Sequence, residues 1–328
     1  MESLYIAVDV GATNIRVALG DAEGRLYVKF REKTVRSGGR LSIAEQILEI
    51  IGKNVSPRML ENVNAIGIGS IGPLDLKRGR IVGTPNLPFD VVELVEPLKN
   101  RLRKPVYLVN DCVAGVMGEW VYGAGRGYRN VVYITISTGI GGGAIVDGHL
   151  LLGKDGNAHE VGHMVVDLEG IMECGCGCRG HWEAYCSGSK IPAYAEHLLS
   201  TMPVEEVRAS SLYHHYVKGE LTAEIIYRAA AEGDRIAMEI VEAIGKINAI
   251  GVANVVNVYD PELVTIGGAV ALRNSSLVLQ PIIKYVKKYV VNRLPKIMLT
   301  PLGEDIVLYG ALAIAANPPR ELLEAMGI

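Results

Sequence analysis

At 328 residues the chain is longer than one compact core usually holds, so two lobes are expected. Hydrophobic residues make up 49% and charged residues 21%, Phe and Trp are scarce and Gly numbers 38, an ordinary composition that points to an α/β protein. A net charge of −3 supplies no broad footprint for nucleic acid or an anionic membrane, and "MESLYIAVDVG" lacks both a basic n-region and an unbroken apolar span, so a cytoplasmic location is expected.

The segment "YIAVDVGATNIRVALGDAEGRL" (5 to 26) has two β-rich runs around a Gly/Asn turn, the pattern of a hairpin. Helical periodicity follows in "LSIAEQILEIIGK" (41 to 53), then a strand "VNAIGIGS" (63 to 70), a helix over "FDVVELVEPLKNRL" (89 to 102) and a strand "PVYLVND" (105 to 111). A second hairpin, "YITISTGIGGGAIVDGHLLL" (133 to 152), repeats the first, Tyr5 matching Tyr133, Asp9 matching Ser137 and Gly11 matching Gly139. Two related lobes facing each other across a cleft would account for the repeat. Beyond a cysteine-rich stretch the chain is mostly helical, with a long periodic run over 237 to 259, a strand "ELVTIGGA" (262 to 269) and a closing helix "IVLYGALAIAA" (306 to 316). The lobe boundary is expected at the strand end near Asn110 and Asp111, dividing the chain into 1–111 plus 305–328 and 112–304.

In "VDVGATNIR", Asp9 ends an apolar strand and Gly11, Thr13 and Asn14 follow, so backbone amides and a hydroxyl crowd beside a carboxylate. Such a turn suits a nucleotide with magnesium, and "STGIGGG" (137 to 143) supplies another; either turn alone reads more readily as a plain Gly-rich hairpin, and the presence of both shifts the balance. Asn110 and Asp111 sit where a strand gives way to a helix, the usual place of active residues in open α/β sheets. Asp111 there suits a general base with Asn110 orienting the substrate, or else a plain helix cap.

The stretch "ECGCGCRGHWE" (173 to 183), with "HEVGHMVVD" just upstream, gathers His163, Cys174, Cys176, Cys178 and His181. Five cysteines between Cys112 and Cys186, an odd number in one cluster, argue against a disulfide framework. Glutamine occurs only at Gln46 and Gln280, a scarcity seen in heat-adapted proteins, so a Cys112 to Cys186 bridge stays open. A closed tetrahedral zinc site is favoured over a redox pair, with Cys178 and His181 competing as fourth ligand. Glu160 and Glu183 flank the ligands, and ordered carboxylates of this kind suit sugar hydroxyls, although surface solvation is the common fate of a glutamate.

Together these motifs resemble the ROK family of repressors, open reading frames and kinases, within the actin-like sugar-kinase superfamily. The resemblance rests on Asp9, Gly11, Thr13 and Arg16; on Asn110 and Asp111; on Ser137 through Gly143; on Glu160, Gly162 and His163; and on Cys174, Cys176, Gly177, Gly180, His181 and Glu183. Here His181 stands where the family pattern has a third cysteine. "GIGSIGPLDLKRGRIVGTPNLP" (67 to 88) is similar to the sugar-proximal segment, with Pro85, Asn86 and Leu87 at its end.

The resemblance implies a two-lobed actin-like ATPase (ribonuclease H-like) fold and ATP-dependent phosphorylation of a hexose at its 6-hydroxyl. Asp111 would be the base and Asp9 would lie near Mg²⁺. Sugar contacts would fall on Asn86, Asn110, Asp111, Glu160, His163 and Glu183. ATP would be held by Asp9, Gly11, Thr13, Asn14, Thr138 and Gly139, with Gly267, Gly268 and Ala269 beside the adenosine. Structural Zn²⁺ would sit on His163, Cys174, Cys176 and His181, and a homodimer is implied. Arg16 is given no catalytic role. Glucose is the expected hexose, with mannose, fructose and glucosamine beside it. An N-acetylhexosamine kinase and a non-catalytic sugar sensor are the competing readings; a DNA-binding regulator is not expected of a chain that opens on the Asp9 hairpin.

Overall fold

The computed structural model describes residues 3–84 and 86–328; Pro85 of the sugar-proximal segment lies outside them. Thirteen strands among these residues form three sheets. The first sheet contains β1 (Leu4–Val10), β2 (Asn14–Asp21), β3 (Leu26–Lys33), β4 (Val63–Ser70) and β8 (Val106–Asn110), in the order β3-β2-β1-β4-β8. β1 and β2 pair antiparallel with Asp9 opposite Arg16, whereas β1, β4 and β8 run parallel with Val10, Ser70 and Asn110 in register. Three adjacent parallel strands therefore end level, which brings Asp9 and Asn110 to one edge of the sheet.

A second sheet contains β9 (Val131–Ile136), β10 (Ile140–Val146), β11 (His149–Leu150), β12 (Leu263–Gly267) and β13 (Lys296–Leu299), in the order β11-β10-β9-β12-β13. Its strand order, third, second, first, fourth and fifth along the chain, is that of the first sheet, and β12 and β13 run parallel as β4 and β8 do. The Tyr5/Tyr133 match thus extends from two short hairpins to two whole sheets.

The expected helix over 89 to 102 begins late. Residues 91–93 form β7, which pairs with β6 (Arg80–Val82), itself paired with β5 (Leu74–Asp75), and only Val95–Leu102 is helical. The β-branched Val91 and Val92 lie opposite Val82 and Ile81, and a cross-strand partner of that kind overrides a helical period.

Contacts divide the chain into one unit of Met1–Tyr133, Gly143–His159 and Thr300–Ile328, and another of Ile134–Gly142 and Glu160–Leu299. The boundary expected at 111/112 falls inside the first of these units, where glycine packing joins the helix after Asp111 to its neighbours. A Cβ on Gly310 of the closing helix Ile306–Ala316 would stand 1.6 Å from the Ala114 carbonyl oxygen of the Asp111–Val121 helix. One on Gly67 of β4 would stand 1.9 Å from the Ala311 carbonyl oxygen. Backbone approach this close locks the 111–121 helix and the closing helix onto the first sheet, so the helix after Asp111 belongs with the strand before it.

Candidate functional site

In the first unit, the Asp9 hairpin turn is tight. Gly11 N–H donates to the Asn14 carbonyl at 3.0 Å, and the Gly11 carbonyl accepts from Thr34 Oγ1 at 2.7 Å. Asp9 is buried, and Arg16 donates from Nε to its Oδ2 at 2.6 Å and forms an ion pair with the same oxygen. Burial raises the Asp9 pKa, the Arg16 guanidinium opposes the rise, and Asp305 adds to it. Arg16 Nη1 also donates to the Glu304 carbonyl at 2.5 Å and lies 3.7 Å from Asp305 Oδ1. The arginine left without a role by its sequence thus orients the carboxylate of the Asp9 turn.

The helix after β8 starts with a division of labour. Asn110 is the N-cap, its Oδ1 accepting from Cys112 N–H at 2.8 Å, and Asp111 is the first helical residue, its Oδ1 2.8 Å from the same N–H. The cap role weighed for Asp111 falls to Asn110 instead. Both side chains are half-buried at the level end of the parallel strands.

Asn86 is exposed in the turn before β7; its N–H donates to Thr84 Oγ1 at 3.3 Å and its carbonyl accepts from Arg36 Nη1 at 3.3 Å. The same Nη1 reaches the Ala12 carbonyl at 3.4 Å, so Arg36 joins Asn86 to the Asp9 turn. Asn157 is clamped to Leu74, accepting from its N–H and donating to its carbonyl at 2.8 Å each. Neither Arg36 nor Asn157 carries a sequence signal, because each acts on backbone far away along the chain.

In the second unit, His163, Cys174, Cys176 and His181 hold their donor atoms within 4.8 Å of one another. His163 Nδ1 is 3.3 Å from His181 Nδ1 and 3.6 Å from Cys174 Sγ, while Cys176 Sγ is 3.4 Å from His181 Nδ1. A tetrahedron with Zn–N near 2.0 Å and Zn–S near 2.3 Å has edges of roughly 3.3 to 3.8 Å, a range into which these three separations fall, and two thiols with two imidazoles are a donor set of the zinc kind. His181, not Cys178, joins the cluster; the exposed Cys178 contributes its carbonyl oxygen, which accepts from Cys174 N–H at 2.8 Å. Burial pushes the Cys174 thiol up to about 12, the cost of an isolated thiolate that a cation offsets. Cys112 and Cys186 are both buried and no disulfide joins them, which removes the bridge left open by composition.

Beside the cluster, Glu160 Oε2 lies 3.7 Å from His163 Nε2, the ring face turned away from the other donors. Burial raises the Glu160 pKa, His163 opposes the rise and Glu183 adds to it. Glu183 Oε2 accepts from Ile140 N–H at 2.9 Å, at the end of the turn between β9 and β10. Thr138 and Gly139 form that turn, with Ser137 N–H donating to the Gly139 carbonyl at 2.9 Å. Gly267 ends β12, Gly268 has φ +88°, and Ala269 begins the next helix. A Cβ on Gly268 would stand 2.5 Å from the Ile136 carbonyl oxygen, so this glycine is required for the strand end to approach β9.

Residues 5–317 match the ROK family. The chain belongs to the ROK family. Its relatives within ROK include a glucokinase from Pyrobaculum calidifontis, 39% identical over 318 residues that cover 97% of each chain. A glucokinase from Aeropyrum pernix is 38% identical and covers 97% of this chain and 98% of its own. Among solved structures, a ROK glucokinase from Streptomyces griseus in complex with glucose and AMPPNP superimposes with a TM-score of 0.76 at 32% identity, covering 95% of this chain and 99% of that one. The two matched five-stranded sheets are the halves of the actin-like ATPase fold that these ROK proteins share. Among the described residues, no helix is long and apolar enough to cross a membrane.

Proposed function

We propose that this chain is an ATP-dependent glucokinase that phosphorylates the 6-hydroxyl of glucose. The observation that carries the reading is the position of Asp111: a carboxylate at the level end of three parallel strands, with the helix cap supplied by its neighbour Asn110. Full-length similarity to glucokinases supports it.

Asp111 accepts the proton of the attacking 6-hydroxyl as the new O–P bond forms and the bond between the γ-phosphorus and the β,γ-bridging oxygen breaks, releasing ADP. Asn110 orients the sugar from the cap position. Asn86, Glu160, His163 and Glu183 offer acceptors and donors for the remaining hydroxyls, and a site built to pair them rejects analogues lacking them. The two hairpin turns, with Asp9, Gly11, Thr13 and Asn14 in one and Thr138 and Gly139 in the other, present amides and hydroxyls to the phosphates. Gly267, Gly268 and Ala269 receive the nucleoside. Mg²⁺ arriving with ATP would supply charge neutralisation at the phosphates, and Asp9, held by Arg16, would be the carboxylate beside it. His163, Cys174, Cys176 and His181 would hold zinc as a structural element that orders Glu160 and Glu183.

Mannose, fructose and glucosamine are further substrates in this reading, and the enzyme works in the cytoplasm as a homodimer. The test is coupled ADP release with MgATP across glucose, mannose, fructose, glucosamine, N-acetylglucosamine and N-acetylmannosamine. Turnover on glucose is expected. Turnover confined to the acetylated sugars would replace the assignment with an N-acetylhexosamine kinase, and sugar binding with no turnover would make the protein a sensor.

A further inference from the structure

Glu183 has a second set of contacts that sugar binding does not explain. It begins the short helix Glu183–Cys186, two residues after His181. Its carboxylate is directed inward, with Oε2 accepting from Ile140 N–H at 2.9 Å and Oε1 3.6 Å from Cys174 Sγ. The residues after it hold the rest of the same turn. Gly188 N–H donates to the Ser137 carbonyl at 2.7 Å, and Ser189 Oγ donates to the Thr138 carbonyl at 2.7 Å.

Gly139, the remaining residue of the turn, takes part through what it lacks. A Cβ there would stand 2.6 Å from Glu183 Oε2 and 3.5 Å from its carboxyl carbon, and, apart from Gly139 and its two chain neighbours, no other heavy atom among the described residues lies within 4 Å. Each residue from Ser137 to Ile140 is therefore met by the 183–189 segment: two carbonyls and one amide by hydrogen bonds, and one glycine by the carboxylate that fills its side-chain space. Backbone groups of a tight turn reorient easily unless their partners are fixed, and a charge-assisted bond to an amide is the stronger kind.

We propose that Glu183 is a positioning residue for the phosphate turn Ser137–Ile140, fixing its amides for the phosphoryl donor and tying that turn to the loop that carries Cys174. This rests on the kinase reading above and adds a nucleotide-side role to a residue expected only at the sugar.

The readout that separates the two roles is nucleotide affinity in the absence of sugar, measured by calorimetry with MgAMPPNP. Losing a charge-assisted bond that organises the turn is expected to raise the Kd of Glu183→Ala by roughly tenfold or more. Glu183→Gln keeps an acceptor oxygen for Ile140 and should stay within about threefold of the wild type. Gly139→Ala should reproduce the loss by displacing the carboxylate, and should add nothing further in a Glu183→Ala background. An unchanged sugar-free Kd in Glu183→Ala, or a Gly139→Ala cost that adds in full to it, overturns the proposal. Should Glu183→Ala not fold, Glu183→Asp, whose carboxylate is one methylene short of the Ile140 amide, decides: a raised sugar-free Kd supports the role and an unchanged one sinks it. Wild-type protein that binds no nucleotide and phosphorylates no hexose would instead remove the kinase reading itself.

Discussion

Replacing Asp111 by Asn separates chemistry from folding, because Asn has nearly the same shape and can keep the contact to the helix backbone. Asn keeps an oxygen to accept from Cys112 N–H, the 2.8 Å contact that Asp111 makes, and Asn110 remains the cap. What the fold loses is a negative charge at a helix N-terminus, worth about 0.3–1 kcal/mol. What the reaction should lose, on the proposed assignment, is its general base, typically a factor of about 10² to 10⁴, or roughly 2.7–5.4 kcal/mol of barrier. The transition state should therefore lose several times what the native state loses. ADP release at saturating glucose and MgATP should show the drop in kcat, while the urea midpoint moves little and KM for glucose changes less than kcat. A folded Asp111→Asn protein with kcat within about threefold of the wild type would refute the assignment of Asp111 as base.

In the loop proposed to hold zinc, two isolated bridges, Val165 with His181 and Glu173 with Arg179, and hydrogen bonds from Arg179 to the Gly170 and Ile171 carbonyls act within the loop, and an ion on His163, Cys174, Cys176 and His181 would cross-link it further. Purified protein should carry one zinc per chain by elemental analysis, and chelation or Cys174→Ser should lower the thermal midpoint and open the 165–180 loop to protease; active protein free of zinc would refute this. Asp234 caps the Arg235–Tyr259 helix through Ala237 N–H at 3.0 Å and also accepts from Ser210 Oγ, Ser211 N–H and Ser211 Oγ, so Asp234→Ala should cost about 2–3 kcal/mol at pH 7. Burial pulls its pKa up, but these bonds outweigh burial and hold the folded value below 3.8. The stabilisation is thus fully present above 3.8 and disappears as pH falls through the lower folded value, so the gap between wild type and variant in urea unfolding should narrow from pH 7 to pH 3. A gap that stays constant would show that the charge is not what matters.

Local pattern alone was enough for the elements that carry the chemistry. The β-branched runs around "GATN" and "STGI" predict the two hairpins, and the shift from "VYLVN" to "DCVAGVMGEW" predicts a strand end with Asn110 and Asp111 on it, because hydrogen bonding and side-chain period are short-range properties. The cysteine-rich loop likewise declares its chemistry through residue type. Partners brought from afar are another matter. Choosing His181 over Cys178 depends on how the 164–181 loop folds back, and β7 forms in place of a helical turn because β6 lies beside Val91 and Val92. Arg16 meets Glu304 across 288 positions, and Glu183 meets Ile140 across 43. Even the division of the chain was decided at a distance, where the closing helix could approach β4 and the 111–121 helix only because Gly67 and Gly310 have no side chain. Periodicity and hydrogen-bonding pattern specify an element from its own residues; which elements touch depends on which surfaces can approach closely enough to exclude everything else.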